Sequence, residues 1–134
     1  MKKRFLYLIF PAVALILEIL PFGAVCNFAN PDGEPWRETF SYFSLTPFGY
    51  ANAGPFITAV ITCIVFVLLI IYCFTDKLRI AKIAKNILIA GVVISLMPLL
   101  FGISFFSVTG AFITVTLLAQ VLLIHFTLKG KCSE

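Results

Sequence analysis

The stretch SYFSLTPFGYANAGPFIT, residues 41 to 58, returns in altered form at residues 104 to 114 as SFFSVTGAFIT. Ser41, Phe43, Ser44 and Thr46 recur as Ser104, Phe106, Ser107 and Thr109, with Tyr42 and Leu45 replaced by Phe105 and Val108. Gly54, Phe56, Ile57 and Thr58 then recur as Gly110, Phe112, Ile113 and Thr114, and the first copy carries seven additional residues, Pro47 to Ala53. An internal echo bears directly on architecture, because a duplicated unit constrains how the chain folds back on itself.

The echo extends into the flanking apolar segments. Aligning Pro21 with Pro98 pairs Glu18 with Ser95 and Ala14 with Gly91. One segment then reads Pro11, Ala14, Glu18, Pro21 and the other Gly91, Ser95, Pro98, Gly102, each at the spacing of one helical face. Lipid gives helices no hydrophobic reason to associate, so close packing of such small or polar faces must supply the attraction. Downstream, Gly54, Thr58 and Cys63 correspond to Gly110, Thr114 and Ala119. The expected unit is helix, outer turn, helix, used twice in one orientation about a pseudo-twofold axis along the membrane normal.

Composition agrees with a lipid solvent. Mean hydropathy is +1.09, 61% of residues are hydrophobic and only 12% charged, whereas soluble domains carry roughly a quarter charged residues. Four apolar stretches, approximately 5–25, 55–74, 86–106 and 111–128, approach the ~20 helical residues needed to cross a ~30 Å hydrocarbon core. Their apolar runs are continuous rather than alternating, which excludes spanning strands. The fold class expected is an all-α membrane protein, a four-transmembrane-helix bundle of two tandem helix–turn–helix repeats. It forms a single domain over 1–134, with an outer loop at 26–54 and a cytoplasmic loop at 75–85.

Charge orients this bundle. Nine of the ten basic residues fall at Lys2, Lys3 and Arg4, at Lys77, Arg79, Lys82 and Lys85, and at Lys129 and Lys131. The other side carries Arg37 against Asp32, Glu34 and Glu38. The positive-inside rule then places both termini in the cytoplasm of a multi-pass protein of the plasma membrane, as in a bacterial cytoplasmic membrane. No basic face interleaved with aromatics is present, so nucleic acid is not an expected partner. The apolar opening after MKKR resembles a signal peptide. Glu18 interrupts it, however, and FGAVC lacks the small residue expected before a lipoprotein cysteine. It is read as an uncleaved span.

The loops show local chemistry. NPDGEP, residues 30 to 35, is turn sequence. Pro35 suits a first helical position, and Trp36, Phe40 and Phe43 follow at i, i+4 and i+7. These interfacial aromatics predict a short helix lying in the outer interface, or alternatively a lid over an outer pocket. Ser107 or Thr109 is placed to cap the fourth helix. TDKLRIAKIAK, residues 75 to 85, has Thr75 or Asp76 as a cap before a basic extension of the third helix. Its cations attract anionic headgroups at about 1 kcal/mol each.

Few residues promise chemistry. Glu18 is the one acid inside a span, and an intramembrane ionisable group is a functional candidate by default. Thr58, Thr62, Ser95, Thr114 and Gln120 are expected at comparable depth, where hydroxyl and amide donors can hold the carboxyl. Glu18, Ser95 and Thr62 form the candidate intramembrane site, for function or for packing. Cys26, Cys63, Cys73 and Cys132 contain no C-x-x-C pair and read as small apolar side chains. His125, near the inner end of the fourth span, is expected at the interface. No catalytic, cofactor-binding or metal-ligating cluster is discernible, so no cofactor and no enzyme activity are expected.

Four short spans with a lone glutamate in the first resemble, in plan, the small multidrug resistance transporters. The resemblance implies a proton-coupled homodimer working through Glu18. No family motif surrounds Glu18, one orientation is favoured by charge, and the duplicated halves have no counterpart in that plan. The reading preferred from the residues is a non-enzymatic structural, accessory or interaction protein that packs with itself, with a membrane-protein partner or with lipid. The alternative is a small proton-coupled transporter or channel subunit using Glu18.

Overall fold

The computed structural model describes residues 4–45 and 50–132. Lys2, Lys3, Thr46 and Pro47 lie outside the described residues. Among the described residues three helices are long and apolar enough to cross a membrane, and a fourth, shorter apolar helix precedes them. Helix α1 covers Leu6–Ile19, α2 Tyr50–Thr75, α3 Leu78–Ser95, α4 Pro98–Phe101 and α5 Val108–Cys132. A single 3-10 turn, Ile103–Phe105, joins α4 to α5. Helices α1 and α3 each pack against both α2 and α5, which closes a ring around buried Ala14, Ala59, Leu69, Leu88, Ile113 and Leu117.

The first helix is shorter than the stretch 5–25 suggested. At ~1.5 Å per residue its 14 residues span about 21 Å. Leu20 precedes Pro21, whose ring forces the preceding residue out of the helical region, and Leu20 adopts φ −63° and ψ 140°. Ala24 and Val25, expected inside the span, belong instead to a strand.

The outer loop departs further from expectation. Ala24–Phe28 (β1) and Trp36–Phe40 (β2) form an antiparallel hairpin, with Phe28 opposite Trp36 and Ala24 opposite Phe40. The short interfacial helix expected over Trp36, Phe40 and Phe43 is therefore incorrect. A separation of four places two residues on one face of a helix, but equally on one face of a strand. The aromatic and β-branched content of WRETF favours the strand, and the Phe28 and Trp36 rings stack across it at 5.3 Å. Phe43 falls beyond β2. The turn reading of NPDGEP holds: Asn30 accepts the Asp32 amide on its side chain and the Gly33 amide on its carbonyl. Of the seven-residue addition, 47–49 lie outside the described residues, while 50–53 form the first turn of α2.

The expected inner loop 75–85 narrows to Asp76 and Lys77, because α3 begins at Leu78. The basic extension of the third helix is thus present. Its cap position is Lys77 rather than Thr75 or Asp76, with no side-chain cap bond. Asp76 takes φ 53°, a left-handed conformation that aspartate tolerates, and its amide closes α2 on the Tyr72 carbonyl. Beyond Ser95 the missing N–H of Pro98 breaks the helical ladder. Leu96, Met97 and Leu99 bond three residues back instead, and Gly102 reverses the chain at φ 130°.

Candidate functional site

Glu18 occupies the last turn of α1 and is fully buried. Thr62 of α2 meets it, Oγ1 to Oε1, at 2.7 Å. Thr62 Oγ1 also lies 3.0 Å from the Thr58 carbonyl. A hydroxyl has one proton, so Thr62 either shares it between the Glu18 carboxyl and the Thr58 carbonyl or donates to Thr58 while accepting from a protonated carboxyl. Oε2 has no partner among the described residues.

Ser95, the third member of the candidate site, does not join Glu18. Its hydroxyl lies 3.0 Å from that of Thr114 and 2.7 Å from the Val92 carbonyl, so one of the two hydroxyls shares its proton between a carbonyl and its neighbour. The two polar pairs occupy two different helix interfaces, α1 with α2 and α3 with α5. Thr58 and Thr114, aligned by the sequence echo, each donate to the glycine carbonyl four residues earlier, Gly54 at 2.9 Å and Gly110 at 3.0 Å. Ala14, Glu18, Gly91, Ser95 and Pro98 all face the interior, whereas Pro21 is exposed.

The hairpin closes this end of the bundle. The Tyr42 amide donates to the Glu18 carbonyl at 2.9 Å, a carbonyl that the broken helix cannot satisfy. The Tyr42 ring is buried, and a methyl on Gly23 would sit 2.7 Å from it, so only glycine admits this packing. Ser107 accepts the Gly110 amide at 2.8 Å as the cap of α5, as its position suggested, and donates to the Gly23 carbonyl at 2.5 Å. Cys26 on β1 donates to Asn52 Oδ1 at 3.0 Å. Burial, with the Glu38 carboxylate opposite it on β2, pushes the Cys26 thiol above its ordinary range. Cys26 is thus a packed group, as its reading as a small apolar side chain suggested. Trp36 and Phe43 are exposed and Phe40 is half-buried, well placed for an interface but not converging on a pocket.

Gln120 is not level with Glu18, as its sequence position suggested. It reaches Tyr7, about 16 Å away along α1, and donates to the Tyr7 carbonyl at 3.0 Å. That bond answers Pro11, which lies inside α1 and cannot supply the amide that residue 7 requires. The basic end is held by Asp76, which receives Arg4 at 2.6 Å and Lys131 at 2.8 Å. Sequence reasoning missed both arrangements, although a proline four residues beyond Tyr7 was a signal for the first.

Among the described residues no cluster of His, Cys, Asp or Glu could hold a metal ion. No protein-family model, curated protein or solved structure matches the chain.

Proposed function

We propose that the protein is a non-enzymatic integral membrane protein that packs with itself, with a membrane-protein partner or with lipid. In this reading all four helices cross the bilayer as two tandem helix–turn–helix units, with both termini in the cytoplasm. The carrying observation is that Glu18 is fully buried and bonded to Thr62 beneath Tyr42, so its polar group serves helix packing. The matched bonds of Thr58 and Thr114 support the duplicated plan. The joining of Arg4, Asp76 and Lys131 at one end supports a common side for the termini and the α2–α3 turn. Helix α1 would cross by local thinning of the bilayer.

The second reading is a proton-coupled transporter or channel subunit, and Glu18 Oε2, which has no partner among the described residues, favours it. Imposing a pH gradient on proteoliposomes separates the two. The packing reading expects the gradient to decay as in protein-free liposomes. A protein-dependent flux that Glu18→Gln abolishes, with folding intact, would establish the transporter.

A further inference from the structure

At the basic end, α3 and α5 flank an open cleft of about 350 Å³, within the size range of small-ligand sites. Lys82 and Lys85 enter from α3 with Asn86, and His125 and Lys129 enter from α5, over an apolar floor at Leu128. The spacings explain the convergence: 82, 85 and 86 share one face of α3, and 125, 128 and 129 share one face of α5.

The charge in this cleft has no internal counter-ion among the described residues. Asp76 is taken by Arg4 and Lys131. Glu18 is buried with Thr62, and Asp32, Glu34 and Glu38 belong to the hairpin and its turn. Among the described residues no ion pair reaches Lys82, Lys85 or Lys129. Three lysines lining a cleft that also has an asparagine and a histidine on its wall suit a compact anion, and phosphate oxygens match such donors.

The surroundings narrow the source of that anion. On α3 the face of Lys82 and Asn86 continues through exposed Ile89 and Val93. On α5 the face of Lys129 and His125 continues through exposed Leu122 and Leu118. The charged cleft is thus continued, on both helices, by a strip of exposed apolar side chains. We propose that this cleft binds the phosphate headgroup of an anionic phospholipid, whose acyl chains lie along the exposed apolar side chains of α3 and α5. The site is independent of the role of Glu18.

The test uses the purified full-length chain, delipidated in neutral detergent, with bound lipid counted by native mass spectrometry. Phosphatidylglycerol is titrated against phosphatidylcholine, which carries a phosphate but also a choline cation that the lysines repel. Phosphatidylglycerol should bind preferentially. Lys85→Gln with Lys129→Gln should weaken it about tenfold or more, since each cation contributes on the order of one kcal/mol. Lys77→Gln with Arg79→Gln removes the same charge outside the cleft and should leave binding within about twofold. Inorganic phosphate forms a second arm. If it binds at the cleft while phosphatidylglycerol does not, the anion comes from solution and the lipid assignment is wrong. Equal losses in the two double variants would show a diffuse attraction to the basic end and overturn the site, as would absence of binding by either probe.

Discussion

The side-chain amide of Gln120 donates to the main-chain carbonyl of Tyr7 at 3.0 Å, the carbonyl that Pro11 leaves without its helical donor. In a bilayer, neighbouring helices must satisfy such freed groups, so this bond ties α5 to α1. Gln120→Leu should destabilise the protein by about 1–3 kcal/mol, the usual penalty for orphaning a buried acceptor. Pro11→Ala restores the amide at position 11, so Gln120→Leu should cost markedly less in that background. Unfolding curves for the four proteins of this cycle measure the coupling, and strictly additive effects would show that the two residues act separately.

A different interaction closes the basic end. The Lys131 hydrogen bond and, secondarily, the Arg4 guanidinium hold the Asp76 carboxyl below its ordinary value of 3.8. A carboxyl with a lowered folded-state pKa stabilises the fold above its ordinary pKa, and that contribution is lost as pH falls through the folded value. Wild type should therefore melt above Asp76→Asn at neutral pH, by a small margin because the pair is solvent-accessible. The difference should shrink below pH 3.8 and with added salt. A margin that persists in strong acid would assign the effect to the backbone at this left-handed position.

Closure at the hairpin end depends on contact between Gly23 and Tyr42. Gly23→Ala places a methyl 2.7 Å from the Tyr42 ring, and the overlap should destabilise the fold by about 1–3 kcal/mol. It should also raise the rate at which Cys26 reacts with a thiol reagent in folded protein. Unchanged reactivity would mean that Tyr42 does not seal this end.

Orientation is testable at the hairpin turn. In a background without native cysteines, Asp32→Cys should react with an impermeant thiol reagent on intact cells, because the acidic hairpin lies opposite the basic end. Lys77→Cys should react only after permeabilisation. The reverse pattern would invert the topology.

The long helices were legible because continuous apolar runs have few alternatives in a chain this poor in charge. Burial of Glu18, Ser95 and Thr62 was legible too, since Ala14 and Glu18, like Gly91 and Ser95, lie on single helical faces. The hairpin was not, because the four-residue spacing of Trp36 and Phe40 satisfies both helical and strand periods. The early end of α1 was written in Leu20–Pro21, a pair whose effect on the preceding residue outweighs apolar content. Alignment depth failed for Gln120 because residue counting cannot register the demand that Pro11 creates on a neighbouring helix.

The claim that Glu18 is a packing group is tested most directly by its two near-isosteres in unfolding measurements on the purified protein. Gln can bond to Thr62 as the carboxyl does, so Glu18→Gln should unfold within about 0.5 kcal/mol of wild type. Leu fills the space but leaves the Thr62 hydroxyl with only Thr58, so Glu18→Leu should lose about 1–3 kcal/mol. A Glu18→Leu protein as stable as wild type would contradict a packing role, as would a Glu18→Gln protein no more stable than Glu18→Leu.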